Sequence, residues 1–279
     1  MNLSSKIGLF TGPIIFFIIL FLPNVLISEN ADAVIAVALW MVIWWVTEAV
    51  SISVTALLPL LLFPILKVMP IGDVGANYGS PIVFLFFGGF IMALALEKVN
   101  LHKRIALNII RLTGTTANKV VLGFMIATAV LSMWISNTAS TVVMLPIAMS
   151  VINLLIEDED GFTKRDRNFA LSVMLGIAFA ANAGGIATVI GTPPNSVLIG
   201  LLENEYNIEI SFLKWMIIGL PFSLIMITIC YFVLVKVFFP THGLKFKASK
   251  TIIHKELQKL GSTSGKEKMV LTIFGVTIF

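Results

Sequence analysis

From Val120 to Ile156 this chain carries no Asp, Glu, Lys, Arg or His, yet Ser136-Asn137-Thr138 interrupts the apolar run near its middle. A second charge-free run, Asn168 to Leu202, is interrupted by AGGIATVIGTPPN at Ala183 to Asn195. In a hydrocarbon layer an unpaired peptide group has no water to bond, so irregular backbone is tolerated only where protein buries it or where it lines a cavity. Two such breaks predict interrupted helices meeting at a binding site. Thr192 before Pro193 and Pro194 reads as an N-cap followed by proline in the first turn, so one helix starts there and another near Asn137.

Hydrophobic residues make up 58% of the 279 and charged residues 12%, about half the charged share of a soluble domain. An all-α membrane protein follows, placed by its several passes in the cytoplasmic (inner or plasma) membrane. The lone Cys230 provides neither a disulfide framework nor a cysteine metal site. The net charge of +4 comes from basic residues gathered in a few loops. That pattern fits orientation in a bilayer, and no basic patch interleaved with aromatics points to nucleic acid.

Taking about 20 apolar residues per crossing, spans are expected at 9–27, 33–50, 52–66, 80–97 and 212–239. The first is read as a retained span and not a cleaved signal. Trp40, Trp44 and Trp45 read as packing or an interfacial belt, and Glu48 and Glu97 as capping or interface groups at span ends. Lys98 to Lys119 is basic and amphipathic, a helix lying on the cytoplasmic surface, with His102 a solvated residue on it. Basic residues flank the 119–157 segment on both sides (Lys119; Lys164, Arg165, Arg167), and each leg to its centre is roughly 25 Å, short of the ~30 Å hydrocarbon. A re-entrant hairpin is therefore expected there, followed by a broken helix at 168–203. With the N-terminus cytoplasmic, Asp73 and Glu203 fall on external loops and every basic loop falls inside. Residues 240–268 read as a cytoplasmic linker. Residues 269–279 start a further span that stops at half length, so the sequence reads as truncated.

Helices starting near Asn137 and Pro193 would each direct about +0.5 charge at the site. Together they under-compensate a dianion, and neither segment contains a proton carrier or a fixed cation. Sodium needs only neutral oxygens, which Ser132, Ser136, Asn137, Thr138 and the Gly191-Thr192 backbone offer. Ser132 and Ser136, four apart, share a helix face. The alternative is that these residues only hydrogen-bond between helices.

Ser136-Asn137-Thr138 preceded by Ser132, GGIATVIGTPPN at 184–195, WWVTEAVSISVTALLPLLLFP at 44–64 and VFLFFGGFIMALALEKVNLHKRIAL at 83–107 resemble the divalent-anion:sodium symporter family, in particular the bacterial sodium-dependent dicarboxylate transporters. The resemblance covers essentially the whole chain. It implies the N-terminal half of an inverted-repeat, elevator-type transporter, a homodimer when full length and not an enzyme. Residues 1–117 would be scaffold and oligomerisation helices, and 118–239 a mobile transport domain. It also implies no cofactor, Na+ as coupling ion, and sodium ligands Ser132, Ser136, Asn137 and the Gly191 backbone. Ser136, Asn137, Thr138, Thr192 and Pro193 would face a C4-dicarboxylate such as succinate, fumarate or malate. The second hairpin and second sodium site would lie in the other repeat, outside this chain. A sulfate or phosphate carrier, a sodium-independent dicarboxylate exchanger and a non-transporting half-protein are the other readings.

Overall fold

The computed structural model describes residues 2–21, 28–114, 116–156, 163–240 and 254–278, and the regular elements among them are helices. The chain forms two compact units, Met1–Phe84 and Leu85–Phe279.

In the first unit, α1 (Leu3–Phe21) and α2 (Glu29–Thr47) pair along a stripe of buried Ser5, Gly8, Gly12 and Phe16. A Cβ on Gly12 would lie 2.6 Å from Trp40 Cδ1, so small residues let the two backbones approach closely. Trp40 packs on Phe16 (5.0 Å between ring centres) and edge-on to Trp44 (5.1 Å), as the packing reading expected, whereas Trp45 is exposed. Ser28 N-caps α2, and Glu48 ends it in a left-handed conformation, φ 49°, with its N–H on the Trp44 and Trp45 carbonyls.

The expected single span over 52–66 is instead two short helices, α3 (Ile52–Thr55) and α4 (Leu58–Ile65). Pro59 explains the split: it lacks an N–H, and its ring would clash with the Thr55 carbonyl in a continuous helix. Nor is Asp73 on a loop. It lies in the first turn of α5 (Ile71–Tyr78), and Tyr78 Oη donates to the Ala56 carbonyl beside the split at 2.6 Å.

The second unit is built around α8 (Ala117–Ser132), whose faces are almost wholly buried. It is followed by α9 (Asn137–Ile156) and α10 (Lys164–Gly185). Phe124, Met125, Val120 and Val121 of α8 share one core with Phe169, Val173 and Ile177 of α10. The 16 residues of α8 span about 24 Å, less than the ~30 Å hydrocarbon. α11 (Pro193–Tyr206) and α12 (Phe212–Phe232) follow, and α12 passes into a π-helical turn at Val233–Phe238. Stretches long and apolar enough to cross a membrane are Leu3–Phe21, Asn30–Thr47, Ile71–Lys98, Lys164–Gly185 and Phe212–Phe238. The Ile71–Lys98 stretch comprises α5 and α6 (Pro81–Lys98).

The amphipathic stretch after α6 forms α7 (Leu101–Thr113), which buries Leu101, Ala106, Leu107 and Ile110. It also buries His102, which is 3% exposed with Nδ1 3.1 Å from the Leu96 carbonyl. The solvated reading of His102 is therefore corrected: at this register it faces inward with Ala106. Of the 240–268 linker, 241–253 lie outside the described residues, and 254–259 form a helical turn, α13. Arg104 of α7 clamps its end, donating to the Leu260 and Gly261 carbonyls at 3.0 Å each and pairing with Glu267 at 2.8 Å. Glu267 in turn accepts from Ser264 N, and Ser264 Oγ from Glu267 N, a capping box that starts α14 (Gly265–Ile278). Phe274 of α14 packs edge-on to Trp134, between α8 and α9 (4.7 Å).

Candidate functional site

Both expected breaks exist. α8 ends at Ser132 and α9 begins at Asn137; α10 ends at Gly185 and α11 begins at Pro193. At the first break, Ser136 Oγ accepts from Ala139 N at 3.2 Å, satisfying one of the donors that a helix start leaves free. At the second, Thr192 has extended N-cap backbone (φ −150°, ψ 141°) before the prolines, but its side chain makes no capping bond.

The two breaks meet. Ser132, fully buried, points its Oγ at Asn137 Oδ1 (2.6 Å) and at the Ala181 carbonyl (2.7 Å). Asn137 Nδ2 donates to Asn182 Oδ1 at 3.1 Å. A Cβ on Gly185 would lie 2.5 Å from Asn137 Oδ1, and a Cβ on Gly191 would lie 2.4 Å from the Gly185 carbonyl. Glycine is therefore required at both positions by close approach. Ser132, Asn137 and Gly191 gather in this corner with Gly185 between them. Ser136 is engaged as a cap and makes no bond to Ser132 or Asn137. Thr138 and Pro193 are exposed, as are Ser136 and Asn182, and Thr192 is half-buried.

The proton count in the corner is short. With the Asn137 amide oriented as it is, one hydroxyl proton of Ser132 serves two acceptors, so one of these oxygen pairs, both under 2.8 Å, has no hydrogen between its members. Turning over the Asn137 and Asn182 amides would supply donors, but would set Asn182 Oδ1 against the Ala178 carbonyl, 3.2 Å from the atom now donating to it. Excess neutral oxygens at this spacing suit a small hard cation. The corner also lies at the start of α9, and the start of α11 follows the Gly191 turn, so two helix N-termini bring partial positive charge to it.

Several residues that hold the corner were not singled out from the sequence. Thr188 Oγ1 donates to the Met133 carbonyl and accepts from Gly191 N at 3.1 Å, joining the two breaks. Asn195 Nδ2 donates to the Gly185 and Thr188 carbonyls, Ser196 Oγ to Val189 O and Trp215 Nε1 to Ile186 O. The readable signal was polarity inside a charge-free run: Thr188, Asn195 and Ser196 all fall within 168–202.

Residues 4–279 match the sodium:sulfate symporter transmembrane region. The chain is 40% identical over 282 residues to the sodium-dependent dicarboxylate transporter SdcS of Staphylococcus saprophyticus, covering 100% of this chain and 54% of the relative. It is also 40% identical over 275 residues to SdcS of Staphylococcus aureus strain USA300 (97% and 53%) and 41% identical over 276 residues to that of the bovine strain RF122 (97% and 53%). The chain thus spans about half the length of these curated relatives, their N-terminal half. With a match running over nearly its whole length, the chain belongs to the sodium:sulfate symporter transmembrane family.

Proposed function

We propose that this chain carries the N-terminal half of the machinery for sodium-coupled symport of C4-dicarboxylates such as succinate, fumarate and malate. The observation that carries the reading is the proton-poor oxygen corner of Ser132, Asn137 and the Ala181 carbonyl, set beside the Gly191 turn and the start of α9. Ser132, Asn137 and the Gly191 carbonyl hold Na+, and Ser136 joins them when its hydroxyl leaves the Ala139 cap. The cation and the α9 and α11 N-termini then offset the charge of an anion received by Ser136, Asn137, Thr138, Thr192 and Pro193.

In this reading 119–157 is a re-entrant hairpin, 118–239 moves against a 1–117 scaffold in elevator fashion, the N-terminus is cytoplasmic, and two copies assemble. The relatives' printed name favours dicarboxylate over sulfate, which only the family description supports. The test is uptake of labelled succinate into vesicles by the protein expressed from its complete reading frame. Sodium-dependent uptake competed by fumarate and not by sulfate is expected. Asn137→Ala should abolish it while insertion persists. Uptake unchanged when choline replaces sodium refutes the coupling.

A further inference from the structure

Residues 185–192, which carry the Gly191 carbonyl, are held from behind by Asn195, Ser196 and Trp215, and one amide makes two of these bonds. Asn195, 7% exposed in the first turn of α11, spends both Nδ2 protons on this segment, at 2.9 Å to the Gly185 carbonyl and 2.8 Å to the Thr188 carbonyl. Neither Ser132 nor Asn137 bonds to it. Thr188 continues the brace, linking Gly191 N to the Met133 carbonyl across the other break.

We infer that Asn195 is a positioning residue for the cation, resting on the sodium reading above. It sorts the carbonyls of the turn: those of Gly185 and Thr188 are taken by the amide and withdrawn from ligation. The backbone between them and Pro193 is thereby fixed, and with it the Gly191 carbonyl. The residue type matters. Two carbonyl oxygens converge on one nitrogen, so only a primary amide at this reach supplies two protons in the right directions. An aspartate would face both carbonyls with acceptors, and alanine would take the amide donor from both, leaving the Thr188 carbonyl only the long 3.4 Å bond from Gly191 N.

The test compares sodium and succinate half-saturation for the unmodified protein, Asn195→Ala and Asn195→Asp, normalised to protein in the membrane. Residues that orient ligands without touching the ion change metal affinity by about 10–100-fold. Half-saturation for sodium should therefore rise by at least about tenfold in both variants, while that for succinate at saturating sodium moves less than about twofold. If either variant is missing from the membrane, Thr188→Val, which removes the other half of the brace, carries the same expectation. Sodium-dependent uptake by the unmodified protein together with wild-type sodium half-saturation in the variants overturns this inference alone. Sodium-independent uptake by the unmodified protein overturns the functional reading on which it rests.

Discussion

Replacing Gly185 with alanine opposes two effects of known size. Gly185 is the last residue of α10, and in a helix alanine is favoured over glycine by about 0.5–1 kcal/mol. Against this, the new Cβ would lie 2.5 Å from Asn137 Oδ1 and 3.2 Å from the Gly191 carbonyl, inside even the ~3.3–3.6 Å of a close C–H···O contact. Asn137 is not free to retreat, because its amide holds bonds of 2.6 Å to Ser132 and 3.1 Å to Asn182. Losing both removes about 1–3 kcal/mol, and forcing a methyl into a packed corner adds about 1–3 kcal/mol. The clash wins, by about 1–5 kcal/mol net, which at the ~2–4 °C per kcal/mol of a chain this size corresponds to a fall in melting temperature of about 2–20 °C. Displacing Asn137 from a cation by only ~1.4 kcal/mol would raise sodium half-saturation tenfold. Tryptophan-fluorescence melting of the solubilised protein, with and without sodium chloride, reads both effects. Gly88→Ala is the control, since a Cβ there meets nothing within 4 Å, and it should be neutral or slightly stabilising. A Gly185→Ala protein that melts at or above the wild-type temperature and keeps its full sodium shift would refute the reasoning.

Two further predictions concern pH. Arg104's bond holds Glu267 below the usual carboxylate range. The pair's contribution is therefore full above the unfolded value of about 4.3 and is lost as pH falls through the lower folded value. Glu267→Gln should remove that acid-sensitive part and increase hydrogen exchange at 254–264; unchanged exchange would count against the clamp. Burial pushes the His102 pKa down, outweighing the Leu96 carbonyl bond that raises it. The unfolded chain therefore binds this proton first, and stability should decline as pH falls below about 6.5. His102→Gln should flatten melting temperature between pH 7.5 and 5.5, and an unaltered slope would show that His102 is not the group responsible.

The two breaks were legible because their signals are local. Polar residues in charge-free runs, and a threonine followed by proline in the first turn, each act within three or four residues. What was hidden depends on distance along the chain. Arg104 and Glu267 are separated by 163 positions, and in sequence Arg104 is one basic residue among several. The Ser264-x-x-Glu267 box was readable locally, but not that an arginine would complete it. Misplacement of His102 and of the 52–66 span has a nearer cause. Basic neighbours concealed the inward register of the first, and hydropathy averaged over Pro59 concealed the second.

In the sodium reading proposed above, the corner draws on backbone carbonyl oxygens at Gly191 and Ala181, and these are common to every amino acid. Inherited variation at those positions leaves the oxygen chemically unchanged, and at Gly191 any side chain collides with Gly185. The backbone share of ion preference is then retuned through the outer supports, Asn195 and Thr188, whose replacement shifts the backbone without occupying the corner. Selection for a different driving ion should leave its mark there.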